Sequence, residues 1–526
     1  RETFDKAMKH YYSKWEFKHP SPADMHLAFE ESTGKDINWF FNGLMKETQK
    51  PDFKTSFKNG EMLVENHYPH ALPVKVSYYK GKTLLHEVWI EPFVDKAKLS
   101  LFAGADKIVV NDKSSLWEKN TLNNEIEPNK ACETCDPIRF SPGISLPSSN
   151  KNYISASPLY LWNNYNKSMV GIQFHNKGVI PKRHEFYLAP LLSFNKLSFA
   201  GIGDYRYRIW PDKSHIAYLD LGVNYKRFAY DYFDKARNYQ KLEFRATGEF
   251  KRKFKNKPRR SGMDLRYALL HKQLEPYYSI NKIGYGMLQG HYWYENYHRL
   301  YPFIVRVGLE SKQEFPGGRG NEAVSFKFWA EAKQNVTYWR KKKVQLRAFA
   351  AAYTELSSGF IDNRIRLNGW SGTDDYAMEY FYFGRTERPG TFMGNQFIER
   401  EGNFKVNAPN GKANVFMVAL NLKLDFPIPF FPVGFYTDFG VSGNKGINVG
   451  SGTTFNSVDI FSNSGLYLDI YPEVLSIYFP IPQTSTNNLG FVNNDFKNPY
   501  FSYVRFSLNL LKLNPTNFKE YVRMIK

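Results

Sequence analysis

The chain has 526 residues, of which 42% are hydrophobic and 17% aromatic, with a formal net charge of +20 and a mean hydropathy of −0.52. This length allows two or three domains, and the absence of any run of about 18 apolar residues excludes a transmembrane helix. The basic clusters at 251–260 and 340–343 lack a nucleic-acid fold signature. Solvated loop charge is therefore favoured over nucleic-acid binding. Contact with anionic lipid head groups or sugar phosphates is the alternative if the clusters lie on the rim of a barrel.

Residues 1–50 carry the spacing of amphipathic helices. Apolar side chains recur every three or four residues from Phe4 to Trp15. The segment Ser21 to Asp24 has the pattern of an N-cap, a proline at the first helical position and a capping box. A third helix is expected from Asp36. The sequence therefore predicts a small helical segment that ends near Pro51.

The same helices contain three segments whose order and spacing are distinctive: Phe4–Tyr12, Phe17–Asp24 and Phe29–Phe41. They resemble the last helices of the catalytic domain in M1-family zinc metallopeptidases, the gluzincin aminopeptidases. The resemblance implies a zinc peptidase that acts on peptide substrates, of which this chain is the C-terminal, non-catalytic part.

An M1 peptidase needs HExxH on a helix, where two histidines one turn apart bind zinc and the glutamate activates water. The pairs His86–Glu87 and His184–Glu185 do not complete this motif, and both lie in predicted strands. The GxMEN substrate motif of the family is also absent. We therefore assign no catalytic or metal-binding residue in this chain. The zinc ligands and an export signal are expected upstream of Arg1.

In residues 51–124 the sequence pattern changes from that of helices to that of short strands. Asn59–Gly60 separates two of them and predicts a hairpin. The M1 resemblance implies the small β-sandwich that follows the catalytic domain in that family. Residues 125–158 are rich in Pro, Ser and Asn and are interpreted as a linker.

The linker contains both cysteines of the chain, Cys132 and Cys135. In an oxidising periplasm a local disulfide is the favoured interpretation. Two thiols alone cannot supply the four ligands of a structural zinc site. A thioredoxin-like role would require a surrounding βαβ pattern, which is missing.

Residues 159–526 contain a series of two-faced segments. In 241–254 the apolar side chains of Leu242, Phe244 and Ala246 alternate with charged or polar ones. A soluble antiparallel sheet and a membrane β-barrel both produce this pattern. We favour the barrel, because such segments follow one another with almost no helical interruption. Aromatic runs such as Tyr292–Tyr297 and Tyr380–Phe383 fit interfacial belts.

The sequence thus predicts a mostly β protein. A transmembrane antiparallel β-barrel of about 14 strands follows the small helical segment and the small β-sandwich. Long loops at 357–374, 386–410 and 442–463 are expected on the extracellular side. Charges of both signs, including Arg245, Glu249, Lys327 and Glu331, are expected in the lumen, where they either line a solute pore or pair and plug it.

The stretches 163–172 and 190–201 carry a second resemblance. They are similar to the first strands of Bacteroidota-type outer-membrane proteins in which an M1-like domain precedes a barrel. The two resemblances imply an outer-membrane-anchored M1-like metallopeptidase with its N-terminal domains in the periplasm. The alternative is a non-catalytic barrel subunit of an outer-membrane assembly, secretion or biogenesis complex. Expected partners are outer-membrane lipid, lipopolysaccharide, a peptide substrate and a larger membrane complex, but not nucleic acid.

Overall fold

The computed structural model contains two compact units, residues 1–139 with 147–153 and residues 140–146 with 154–526. Among the residues described, no helix is both long and apolar enough to cross a membrane. The structure describes residues 2–47, 49–58, 61–99, 102–112, 116–119, 121, 123–127, 138–141, 152–178, 181–195, 197–211, 214–232, 236–252, 257–273, 282–314, 324–354, 364–372, 374–385, 392–406, 408, 411–447, 454–471, 473–481, 500 and 503–510.

The first unit begins with two α-helices, α1 (Glu2–Trp15) and α2 (Pro22–Thr33). The predicted capping box is present, because the Ser21 hydroxyl accepts a hydrogen bond from the Asp24 backbone N–H while the Asp24 carboxylate accepts one from the Ser21 backbone. Gly34 ends α2 in the left-handed conformation, with φ 63°. The third helix expected from Asp36 is instead a six-residue π-helix, Trp39–Leu44.

Seven strands follow in the first unit: β1 (Phe53–Lys58), β2 (Glu61–Asn66), β3 (Leu72–Lys80), β4 (Thr83–Phe93), β5 (Asp95–Leu99), β6 (Lys107–Val110) and β7 (Glu125–Ile126). They form two sheets with the orders β1-β2-β5 and β4-β3-β6-β7. The predicted hairpin is confirmed by the antiparallel pairing of β1 with β2. Both sheets contribute to one apolar core, in which Phe53, Met62 and Val76 are fully buried.

The strands of the large sheet begin with β8 (Ile138–Ser141), β9 (Asn152–Asn163), β10 (Lys167–His175), β11 (His184–Ser193), β12 (Ser198–Ile209), β13 (Ile216–Tyr232), β14 (Ala236–Phe250), β15 (Arg259–Gln273), β16 (Lys282–Asn296), β17 (Phe303–Glu314), β18 (Ser325–Trp339) and β19 (Lys342–Tyr353). Short strands follow: β20 (Ile365–Arg366), β21 (Trp370–Ser371), β22 (Gln396–Ile398), preceded by a 3₁₀ turn at Phe392–Asn395, and β23 (Lys412–Ala413). The chain then continues with β24 (Phe416–Asp425), β25 (Val433–Ile447), β26 (Thr454–Tyr471), β27 (Leu475–Pro480) and β28 (Arg505–Leu508).

In the described part of the chain the large sheet contains 19 strands and closes into a barrel in the order β10–β19, β21, β22, β24–β28, β8, β9, while β20 and β23 pair separately. The expected count of 14 is therefore wrong. Strand β8 and the start of β9 lie inside the segment predicted as a linker, and β21 and β22 lie inside predicted loops. Most of the predicted loop at 442–463 is strand, because β25 and β26 pair from Val433↔Leu468 to Ile447↔Thr454.

A continuous wall is formed by β9–β19 and β24–β28, since β19 also pairs directly with β24, as in Ala348↔Leu420. The pattern of side-chain burial in this wall is the reverse of the pattern in a soluble sheet. On β14 the Lys241 residue is only 2% exposed, whereas Phe244 is 45% exposed. Charged side chains thus point inward and apolar ones outward, as the barrel interpretation requires.

Candidate functional site in the barrel lumen

The residues singled out from the sequence do not come together. His86 and Glu87 lie on β4, where the His86 ring stacks on Phe102 and Glu87 pairs with Lys75. Glu185 lies on β11 and pairs with Arg206. Within the described ranges no group of three or more His, Cys, Asp or Glu side chains is arranged to hold a metal ion. Cys132 and Cys135 lie outside the described residues.

The segment that stands out instead is 354–415, the connection between β19 and β24, which we name the luminal loop. Its described residues contact inward-facing side chains from strands that are far apart around the wall. The wall residues that it contacts include Lys226 on β13, Arg266 on β15, Lys327 on β18, Arg347 on β19, Asp438 on β25 and Arg505 on β28. A segment that reaches all of these strands must cross the interior of the barrel.

One anchor of the luminal loop is Glu379. Its carboxylate accepts a hydrogen bond from Arg266 at 2.8 Å and another from Arg400 of the loop itself at 3.2 Å. Its backbone carbonyl accepts a bond from the ammonium of Lys226 at 2.9 Å. Two wall strands therefore hold one loop residue through charge-assisted bonds, which are stronger than neutral ones.

A second anchor surrounds Glu401. The Lys327 ammonium on β18 lies 3.3 Å from the Glu401 carboxylate and 3.2 Å from Glu310 on β17. Arg347 donates to the Glu401 backbone carbonyl at 2.8 Å. The hydroxyl of Tyr376, another loop residue, donates to Glu310. These groups satisfy one another, as buried polar networks must.

A third anchor joins the luminal loop to β25. Lys405 and Asp438 form an ion pair at 3.3 Å with both side chains fully buried. Asn421 on β24 donates to Asp438 at 2.8 Å and to the Gly402 carbonyl at 3.0 Å. The Lys405 backbone N–H also donates to Asp438 at 3.2 Å. The carboxylate is thus fixed by three donors from the loop and the neighbouring strand.

The loop also reaches the last strand of the wall. The guanidinium of Arg505 on β28 donates to the carbonyls of Asn368, Phe404 and Val406, the first at 2.9 Å. Strand β22 pairs with β28 in parallel, through Gln396↔Phe506 and Phe397↔Ser507. Backbone pairing therefore adds to the side-chain anchors and fixes the position of this part of the loop.

Apolar packing fills the space between these anchors. Leu367 and Phe404 of the loop are fully buried in a cluster with Phe349 of the wall. Gly440 on β25 permits this approach, because a Cβ atom there would lie 2.5 Å from Leu367 Cδ1 and 3.0 Å from the Phe404 ring. The missing side chain is thus required for close contact between the loop and the wall.

A cavity of about 740 Å³ remains within the barrel beside the loop. Its lining carries both signs of charge, and many of the charged groups are already paired. Arg306 and Arg347 both bind Glu331, at 2.8 and 2.7 Å. Arg245 pairs with Asp204. Glu249 is buried outside the cavity lining and lies 3.9 Å from Arg252 of the turn after β14. The lumen charges predicted from sequence are therefore present and paired.

The position of the luminal loop was not predicted. The sequence predicts extracellular loops at 357–374 and 386–410, and Tyr380–Phe383 between them as part of an interfacial belt. Both Tyr380 and Tyr382 are instead buried, the latter donating to the Trp370 carbonyl at 3.0 Å. A local signal did exist, because the loop combines charges of both signs with aromatic residues, which is unusual for a solvated loop.

Comparisons with known proteins give structural matches only. No family model and no curated protein matches the chain. Among solved structures, BamA from Haemophilus ducreyi lacking POTRA domains 1–3 is 11% identical, covering 64% of this chain and 70% of that chain at a TM-score of 0.35. CdiB from Acinetobacter baumannii is 12% identical, covering 64% and 60%, at 0.31. CdiB from Escherichia coli is 7% identical, covering 91% and 71%, at 0.33. TM-scores this low assign no function to the chain.

Proposed function

We propose that this chain is a bacterial outer-membrane β-barrel that works as a non-catalytic subunit of an assembly, secretion or biogenesis complex. The reversed burial of the wall supports the membrane part of this proposal. Outward-facing Val307, Phe328 and Leu420 are all substantially exposed, while the charged residues between them point inward. A closed sheet with an apolar exterior is the only β-structure that satisfies its backbone within a bilayer.

The orientation follows from the lengths of the connections. The wall strands β9–β19 and β24–β28 are even in number, so the wall begins and ends at the same rim, which we name the entry rim. Connections at the entry rim, such as 297–302 and 340–341, are short, whereas 354–415 and 481–504 lie at the opposite rim. Because short turns face the periplasm in outer-membrane barrels, the entry rim, where β9 begins, is proposed to face the periplasm.

The observation that carries the functional proposal is the luminal loop. It is bonded to strands on all sides of the barrel through Glu379, Glu401, Lys405 and the pairing of β22 with β28. A loop anchored across the lumen in this way disfavours a pore for small solutes. The roles that remain are those of a barrel that acts together with partner proteins, which it would contact through its wall and through the first unit.

The first unit offers a surface suited to a protein partner. In its described part, β4 lies at the edge of its sheet, pairs only with β3 and is exposed along nearly its whole length. Trp89 is 58% exposed and Leu85 is 40% exposed. A long, exposed, apolar edge strand readily accepts an extended segment of another chain. We propose that an extended segment of a partner protein adds to β4.

A photo-crosslinking amino acid at position 89 tests this proposal in native membranes, with the exposed Tyr12 of α1 as the control position. We expect a discrete crosslinked product at position 89, identified as a membrane-complex component by mass spectrometry, and its loss when Leu85 is replaced by Lys. Equal products at both positions, or recovery of the chain only as a lone monomer in mild detergent, would contradict the proposal.

The M1-like peptidase is kept as a second candidate because of residues 1–50. There α1, α2 and the π-helix pack Ala7, Phe29 and Phe41 into one small core. In that case the chain would be the non-catalytic end of an outer-membrane-anchored zinc metallopeptidase, with zinc held upstream. Intact mass and peptide mapping of the native protein test this candidate, because in a peptidase HExxH followed by a downstream glutamate must precede Arg1. Upstream sequence without those ligands would exclude catalysis.

A further inference from the structure

Three neighbouring turns at the entry rim carry basic residues without any acidic ones. They are 251–258 between β14 and β15, of which 251–252 and 257–258 are described, 297–302 between β16 and β17, and 340–341 between β18 and β19. These turns are adjacent because β15 pairs with β16 and β17 with β18. The exposed basic residues described there are Lys251, Arg252, Lys257, Arg259, Arg299, Arg340 and Lys341. No Asp or Glu occurs in 251–259, 297–302 or 340–343.

An apolar turn lies directly beside them. Because β19 pairs with β24, the turn 426–432 that follows β24 is the next one along the entry rim. Its sequence is FPIPFFP, and Phe430 is 101% exposed. The φ of Phe430 is 59°, a left-handed conformation that is strained for a bulky side chain. Lys342 donates to the Phe431 carbonyl at 2.6 Å and ties this turn to the basic one.

Aromatic side chains also hold some of the cations in place. Arg252 donates to the Tyr297 hydroxyl at 2.5 Å and links the first two turns. The Arg340 guanidinium lies 5.0 Å from the centre of the Trp339 ring. Such cation–π contacts order the guanidinium groups while leaving their outer N–H groups available to a ligand. Tyr and Trp beside Lys and Arg are typical of the membrane–water interface.

We propose that these four turns, which we name the basic–aromatic rim, bind the head groups of anionic phospholipids in the leaflet that surrounds the entry rim. The phosphodiester is recognised by Arg340, Lys341 and the neighbouring cations, while Phe430 and Phe431 enter the acyl boundary. This inference rests on the proposed function only in requiring that the wall spans a membrane. Phe430 is fully exposed and Phe431 is 57% exposed, and the neighbouring turns contain no Asp or Glu of their own. This combination favours a lipid over an acidic protein.

The full chain, reconstituted into mixed phosphatidylcholine and phosphatidylglycerol bilayers and re-extracted in mild detergent, provides the test. Retained lipids are counted by mass spectrometry. We expect several-fold enrichment of phosphatidylglycerol over its share in the bilayer, weakened by high salt because exposed charges are screened. R340Q/K341Q is expected to reduce the enrichment several-fold. F430S/F431S is expected to reduce retention of both lipids and to leave their ratio unchanged.

The matched control is K167Q/K445Q, which removes two exposed basic residues at the opposite rim and is expected to keep the enrichment. Absence of enrichment in the wild type, an equal loss in the control, or no loss in R340Q/K341Q would overturn the proposal. Specific retention of an acidic protein without any lipid preference would also overturn it. A chain that fails to enter bilayers at all would instead refute the membrane-spanning wall.

Discussion

Lys405 of the luminal loop and Asp438 of β25 form an ion pair at 3.3 Å in which both side chains are fully buried. The pair also involves Asn421, whose amide donates to Asp438 at 2.8 Å. Burying two charges costs desolvation free energy, which their attraction and hydrogen bonds only roughly offset. A pair of this kind is therefore weak as a source of stability but strongly specifies where the loop must lie.

Asp438→Asn is expected to leave the Lys405 ammonium buried without its countercharge. The free energy of unfolding should fall by about 3–5 kcal/mol. Urea unfolding of the barrel in detergent measures this loss. In K405M/D438N neither member of this pair is charged, so we expect recovery of about 1–3 kcal/mol relative to D438N. Additive losses in the double variant would show that the two residues are not coupled.

Gly440→Ala tests the close approach of loop and wall. The added methyl group would lie 2.5 Å from Leu367 Cδ1 and 3.0 Å from Phe404, both in the buried cluster. Overpacking of this kind costs about 1–3 kcal/mol, measured as a lower urea midpoint. Gly248→Ala on β14 is the matched control, because its Cβ would meet nothing closer than 3.8 Å. Equal midpoints for the two variants would contradict the assigned packing.

The wall was largely predictable from sequence. Alternation through Lys241, Glu243 and Phe244 follows from the two-residue period of a strand, and it specifies which side chains share a face. The excess of aromatic residues then favours lipid, rather than water, as the environment of the outer face of the sheet. Strand ends were less predictable, because the three glycines and Asn444 give 440–446 a turn-like composition, whereas ladder hydrogen bonds to β26 keep this segment extended.

The luminal loop could not be predicted because its contacts are distant in sequence. Arg266 and Glu379 are 113 residues apart, and Arg505 and Asn368 are 137 apart. Each of these four residues is charged or polar, and on its own would be expected to face solvent. Only closure of the sheet brings these side chains into one interior, where burial forces opposite charges to pair. The local pattern therefore predicted loops at 357–374 and 386–410, where the only strands among the described residues are the short β20, β21 and β22, but gave no information on which side of the wall these loops lie.

Leu420→Arg tests whether the exterior faces lipid. Leu420 is 51% exposed, and in a soluble protein an exposed substitution of this kind usually changes stability by less than about 0.5 kcal/mol. On the lipid face of a barrel an arginine costs about 2–4 kcal/mol near the bilayer midplane. We expect L420R to lower the folded fraction in phospholipid vesicles. An unchanged midpoint would favour a soluble sheet.

Glu118 makes the stability of the first unit depend on pH. Its carboxylate accepts hydrogen bonds from the Phe53 backbone at 2.8 Å and from Asn124 at 2.6 Å, and also from Asn111. Burial nevertheless raises the pKa of Glu118, and its hydrogen bonds only partly oppose this effect. Because the folded state then binds the proton more tightly than the unfolded state, stability falls as pH rises from the unfolded pKa through the folded pKa.

Glu118→Gln should remove this contribution, so the difference in stability between wild type and variant should change across weakly acidic pH. Hydrogen exchange of the β1 amides in the full chain measures the opening free energy, after correction for the pH dependence of intrinsic exchange. A difference that stays constant between pH 4 and 7, a window set roughly by the usual glutamate pKa, would show that Glu118 does not titrate there.

Removal of the luminal loop should convert the barrel into a pore. Strands β19 and β24 pair up to Ala352↔Phe416, so a short glycine-serine turn can join them after deletion of 355–414. The cavity of about 740 Å³ would then become continuous with the space that the loop had filled. We expect no steady conductance from the wild type in planar bilayers and large, stable openings from the deletion variant. The G248A variant, whose lumen is unchanged, should remain closed. Steady conductance in the wild type would mean that the anchors at Glu379, Glu401 and Lys405 do not close the lumen.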